Sequence, residues 1–182
     1  MKALIDTCVL INLFNENGNY HESARQCIEF LQEKKCLLIV SPLSLAEYGI
    51  KGSIADIVHS KLFASPSYGV RAAMQAAEFA KLTASDDAKQ TLRTTENARK
   101  IIAIDTQIIA HAACEDADYI LTADANTFAQ TARYIKTRGK LLSEIVVLGD
   151  GALKQLQDCV SHCGGSEIPT QDVVQRQGEL GI

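Results

Sequence analysis

The chain has 182 residues, 47% of them hydrophobic and 22% charged, with a net charge of −4. Those values fit one globular domain with a sizeable core and exclude a disordered chain. The acidic balance excludes a global basic field for nucleic acid, and no apolar run approaches the roughly 20 residues of a membrane helix.

Residues 2–6 read as a short buried strand, and 7–14 begin a helix at once, capped by Asp6 or Thr7. After a loop at 15–19, residues 20–34 follow a helical pattern with Ala24, Cys27, Ile28 and Leu31 on one face. Residues 36–40 form a second strand, and Ser41-Pro42 opens a helix to about Ile50. Helices are predicted over 53–64, 68–82 and 88–101, and another from Asp105 to about Glu115. Residues 118–123 and 144–148 complete the strands, and 152–163 form a short helix before a polar tail. Strands alternating with helices predict an α/β domain of three layers, with a central parallel sheet covered on both faces. Gly149-Asp150-Gly151 divides a domain at 1–149 from an appendage at 150–182.

Met1 leads straight into a strand, without a charged and apolar leader pattern. The six cysteines are scattered and form no CxxC pair, so buried thiols in a reducing cytoplasm are expected. Cys159, His162 and Cys163 lack an evident fourth zinc ligand and read better as a small helix face.

Four acids stand in apolar surroundings. Asp6 ends the first strand run, Glu47 shares a helical face with Leu43, Ala46 and Ile50, Asp105 interrupts 101–109, and Asp124 ends 119–124. Ionised carboxylates rarely enter such surroundings unpaired, and no Lys or Arg follows Lys2 in those runs. A bound cation would account for them. Each also has a plainer reading: Asp6 and Asp105 as helix caps, Asp124 as an Asx turn with Asn126, Glu47 in a structural ion pair. Ligands of parallel sheets bind beyond the carboxyl ends of the strands, where these acids are expected to gather.

Four segments carry a resemblance. Leu4-Ile5-Asp6-Thr7-Cys8, Ser41-Pro42-Leu43-Ser44-Leu45-Ala46-Glu47, Asp105-Thr106-Gln107-Ile108-Ile109-Ala110 and Leu121-Thr122-Ala123-Asp124-Ala125-Asn126 resemble, in order and spacing, the motifs of PIN domains over residues 1–149. The short length is similar to the VapC-like ribonuclease toxins of that family. Cys8 stands where Asn or Ser is common, and Asn126 where many members have a further Asp.

The resemblance implies endonucleolytic hydrolysis of RNA, with Asp6, Glu47, Asp105 and Asp124 as catalytic metal ligands and Thr7, Thr122 and Asn126 in support. Oxygen donors select Mg²⁺ or Mn²⁺, and such ions attract a phosphodiester and activate water. Candidate RNA contacts are Arg93, Arg99 and Lys100 and, after the last acid, Arg133, Lys136, Arg138 and Lys140. A solvated helix face is the competing reading for most of them. The resemblance further implies an antitoxin protein and a homodimer. Phe14 and Phe30 would add an exposed apolar patch unless another element covers them. Two rivals stand beside this reading: a PIN-like module that binds RNA or protein without cutting, and a phosphatase-like domain with Asp6 as nucleophile. The latter commonly wants a second Asp where Cys8 stands.

Overall fold

The computed structural model describes residues 1–163 apart from 86, 89–91 and 93–95, and gives 96–101 and 163 as backbone only. Its sheet has four parallel strands, β1 (Lys2–Ile5), β2 (Leu37–Val40), β3 (Tyr119–Thr122) and β4 (Glu144–Val147), in the order β2-β1-β3-β4. Leu4 aligns with Ile39 on one side and Ile120 on the other, and Ile120 with Ile145.

The side-chain alternation of a strand sorts these residues onto two faces. Ala3, Ile5, Tyr119, Leu121 and Val146 enter one core. It is closed by α1 (Thr7–Leu13), α2 (His21–Glu33) and α8 (Ala152–Cys163), through Val9, Leu10, Cys27, Leu31 and Leu156. Leu4, Ile120 and Ile145 enter the other. It is closed by α5 (Val70–Thr83), α6 (Glu96–Cys114) and α7 (Phe128–Thr137), through Phe79, Ile108, Ile109, Phe128 and Ile135. This is the three-layer α/β/α arrangement with a parallel sheet. Ala152 and Leu156 are buried in the first core, so α8 is packed into the same fold. Two glycines at positive φ, Gly149 and Gly151, turn the chain from β4 into it.

Two further helices, α3 (Pro42–Tyr48) and α4 (Ile54–Ser60), lie between β2 and α5. Ser41 caps α3, its Oγ accepting from the Leu43 amide at 3.3 Å, with Pro42 in the first turn. The connection from β1 leads to β2, and the chain then crosses back to β3 on the other side of β1. The crevice between β1 and β3 is therefore the switch point of the sheet.

Three expectations change. Asp105 does not start a helix: α6 runs through it from Glu96. The apolar spacing of Ile102, Ile108 and Ile109 continues one buried stripe across it. The face of α3 shared by Glu47, Ala46 and Ile50 is not a core stripe, because Ser44 and Tyr48 are its buried residues. Helix α7 has no counterpart among the predicted elements, although it buries Phe128, Ala129, Thr131, Ala132, Tyr134 and Ile135.

Phe14 and Phe30 are half-buried against the first core. Phe14 packs on Tyr48 and Phe63, with ring centroids 6.0 and 6.5 Å apart. They form no open apolar patch. No helix among the described residues is long and apolar enough to cross a membrane.

Candidate functional site

Asp6 is built first. It caps α1, with Oδ1 accepting from the Thr7 amide at 2.7 Å. Oδ2 accepts from the Cys8 thiol at 2.7 Å and from the Thr122 hydroxyl at 2.8 Å. Three donors fix its rotamer. The plain capping reading is therefore true, and it leaves the carboxylate at the carboxyl end of β1. Burial drives its pKa up to about 6, against the lowering effect of those donors, and Glu47 adds to the rise.

Glu47 reaches the same place from α3, its Oε2 accepting from the Thr7 hydroxyl at 2.6 Å. Asp124 follows β3. Its Oδ1 accepts from the amides of Asn126 and Thr127, both at 2.8 Å, and its Oδ2 from the Thr127 hydroxyl. Burial raises the Asp124 pKa, but the Thr127 hydroxyl and the following amides outweigh it and hold it below the usual value. Asp124 is thus an Asx turn whose donors favour its ionised form.

Asp105 is different. It sits in the middle of α6, 9% exposed, and its Oδ2 has no hydrogen-bond partner. Burial, followed by the charges of Asp6, Asp124 and Glu47, pushes its pKa up to about 8. A buried carboxylate oxygen facing three other acids without a donor is an incomplete arrangement.

These four acids line one cleft of about 280 Å³ with Thr7, Cys8, Ile11, Ile50, Lys51 and Phe128. Thr122 is buried beneath it: its hydroxyl donates to Asp6 and accepts from the Asp124 amide at 3.0 Å. Cys8 carries no chemical signal in the sequence, yet its sulfur touches both strand ends. It donates to Asp6 and accepts from the Ala123 amide at 2.9 Å. Burial, then the Asp6 charge, raises its pKa, so it is a neutral thiol. A larger open groove beside α8, about 600 Å³ and lined by Glu144, Lys154, Asp158 and His162, contains none of the four acids.

The polar periphery divides differently. Asn126 is exposed and outside the cleft lining, contributing its amide to Asp124. Lys136 pairs with Glu144 at 2.6 Å and donates to the Ser143 carbonyl at 3.1 Å, at the start of β4. Arg138 pairs with Asp87 and lies over the Tyr134 ring. Lys140 lines a hollow with Asp116, Asp118 and Ser143. α7 carries the chain from the carboxyl edge to the amino edge of the sheet, which takes Lys136 and Lys140 away from the acids. Arg133 is exposed and outside the cleft lining. Arg93 lies outside the described residues, as do the side chains of Arg99 and Lys100. The one basic residue among the described residues that line the cleft is Lys51. A lone lysine in the short loop from Gly49 to Gly52 carries no pattern that would have identified it.

The four oxygen-donor acids suit a hard divalent cation, and the orphaned Asp105 oxygen is the observation that favours one. As they stand, no three Asp, Glu, His or Cys side chains among the described residues are close enough to grip an ion.

A family model described as PIN domain matches residues 3–134. A search of curated proteins finds no match. Among solved structures, the chain is similar to VapBC2 from Rickettsia felis, bound to a DNA fragment from their promoter. That likeness has a TM-score of 0.52 and 19% identity, covering 80% of this chain and 98% of that one. A second is Mycobacterium tuberculosis VapC20, described as a Sarcin-Ricin loop cleaving toxin. Its TM-score is 0.48 at 18% identity, covering 70% of this chain and 93% of that one.

Proposed function

This chain belongs to the PIN domain family, and from that premise we propose that it is a divalent-metal-dependent endoribonuclease, the toxin of a toxin–antitoxin pair. The observation that carries the reading is the cleft in which Asp105, with one oxygen unpartnered, faces Asp6, Glu47 and Asp124.

Asp6, Glu47, Asp105 and Asp124 are the residues that would hold Mg²⁺ or Mn²⁺. Bound there, the cation supplies charge neutralisation for a phosphodiester and Lewis acidity toward water. The protein's own part is orientation. Thr7 ties Glu47 to the start of α1, and Thr122 ties Asp6 to the end of β3. Asp6 and Asp105 hold protons more tightly than ordinary carboxyls, so both give them up as the site charges. Asp124, whose donors favour its ionised form, would supply negative charge to such a cation.

Likeness in fold to the VapBC2 structure supports the toxin reading and an antitoxin partner. The test is purified protein with structured and unstructured RNAs under Mg²⁺, Mn²⁺ or chelator. Internal cleavage with either ion and none with chelator is expected. Cleavage that persists in chelator refutes the mechanism. Binding without cleavage under every ion favours the competing reading, a module that binds RNA without cutting it.

A further inference from the structure

We infer that Lys51 is the substrate-gripping cation of this cleft, contacting an RNA phosphate next to the four acids; the inference rests on the ribonuclease reading above. An RNA strand approaching Asp6, Glu47, Asp105 and Asp124 meets like charge, and a cation at the lip offsets that repulsion. Lys51 lines the cleft with the acids and forms no ion pair with any described residue, whereas Lys136 and Arg138 are each engaged by an acid elsewhere.

Its position is built into the fold. The loop that follows Glu47 is pinned to Tyr48: the amides of Lys51 and Gly52 both donate to the Tyr48 carbonyl, at 2.9 and 2.8 Å. Tyr48 is itself buried at 4% exposure and packs on Phe14. A Cβ at Gly52 would lie 2.5 Å from the Tyr48 ring, so the loop folds this tightly only with glycine there. α3 thus delivers Glu47 into the cleft, and the turn that ends it brings Lys51 to the lip. Ile50, 82% exposed and also lining the cleft, gives apolar surface on which a base or ribose can rest.

The experiment uses a 5′-fluorescent single-stranded RNA oligonucleotide and the full chain, comparing wild type, Lys51→Met, Lys51→Glu and Lys51→Arg. Loss of a phosphate contact made throughout the reaction raises KM and spares kcat. Lys51→Met should raise KM about tenfold, and Lys51→Glu further, with Lys51→Arg near wild type. Lys51→Met should also flatten the dependence of log(kcat/KM) on log salt by about 0.7, the value of one phosphate on a single strand. Mn²⁺ affinity by calorimetry and the Tm should stay within error of wild type, which separates substrate contact from damage to the metal site or the fold. An unchanged KM and salt slope in Lys51→Met overturns the inference, as does a loss confined to kcat or to Mn²⁺ affinity. Wild-type protein that cleaves no RNA overturns the ribonuclease reading instead.

Discussion

The two edges of the sheet use the same residue types to opposite ends. At the amino edge charged groups find partners. Asp118 accepts from the Lys2 amide at 2.6 Å, the Lys2 ammonium donates to the Glu115 carbonyl at 2.6 Å, and Lys136 joins Glu144 to the Ser143 carbonyl. At the carboxyl edge four acids converge with one cation at their lip, and a buried oxygen of Asp105 has no donor. The amino edge closes the fold by pairing its charges. The carboxyl edge holds unpaired charge, which costs stability until a ligand arrives.

The largest effects should come from emptying the charged edge. Asp105→Asn should cut RNA cleavage by about a hundredfold or more. Because Asp105 Oδ2 has no partner to lose, the same change should raise the Tm of metal-free protein by about 5 °C. Full activity, or a lower Tm, would break the contrast between the edges. Asp6→Asn should be equally inactive without the stabilisation, since Asp6 accepts from Thr7, Cys8 and Thr122.

The next effect is in pH. A carboxyl that ionises less readily in the fold than in the unfolded chain destabilises the fold from the pH at which the unfolded form ionises. That cost builds from the ordinary carboxyl range up to about pH 6 for Asp6 and about pH 8 for Asp105, and is constant above. Asp124, lowered, contributes stability above the ordinary carboxyl range that is lost as pH falls through it. Metal-free protein should therefore melt about 5 °C higher at pH 6 than at pH 8.5, and saturating Mn²⁺ should flatten or reverse that slope. Thermal melts with and without chelator decide it. Calorimetry at pH 7 in buffers of differing ionisation enthalpy should also register proton release on Mn²⁺ binding.

A smaller effect is expected at Cys8, whose thiol joins Asp6 to the Ala123 amide. Cys8→Ala should weaken Mn²⁺ binding about tenfold, and Cys8→Ser, which can still donate and accept, should recover most of it. Equal affinities in all three proteins would remove the thiol from the site. The smallest belongs to the paired edge. Lys136→Met should cost about 0.5 kcal/mol in denaturant unfolding, with RNA cleavage unchanged, because the bridge to Glu144 is partly exposed.

What could be read before folding was whatever is written locally. The strand runs, the Ser41-Pro42 start of α3, the apolar face of α2 and the four acids are all patterns within a few residues, set by backbone geometry and side-chain period. The order of those acids sufficed for the family resemblance. What was not legible depended on neighbours distant in sequence. Asp105 looks like a cap until Ile102, Ile108 and Ile109 find one continuous face to bury, and then the helix runs through it. Glu47 looks like a core residue until Ser44 and Tyr48 take the buried side of α3. Basic residues counted as one cluster after Asp124 part company because α7 carries some of them to the other edge. Cys8 and Lys51 gained meaning only when β1, β3 and α3 met around one cleft. Local chemistry can nominate a charged group, but only the packed chain decides whether that charge has a partner, because the groups able to pair with it arrive from elsewhere in the sequence.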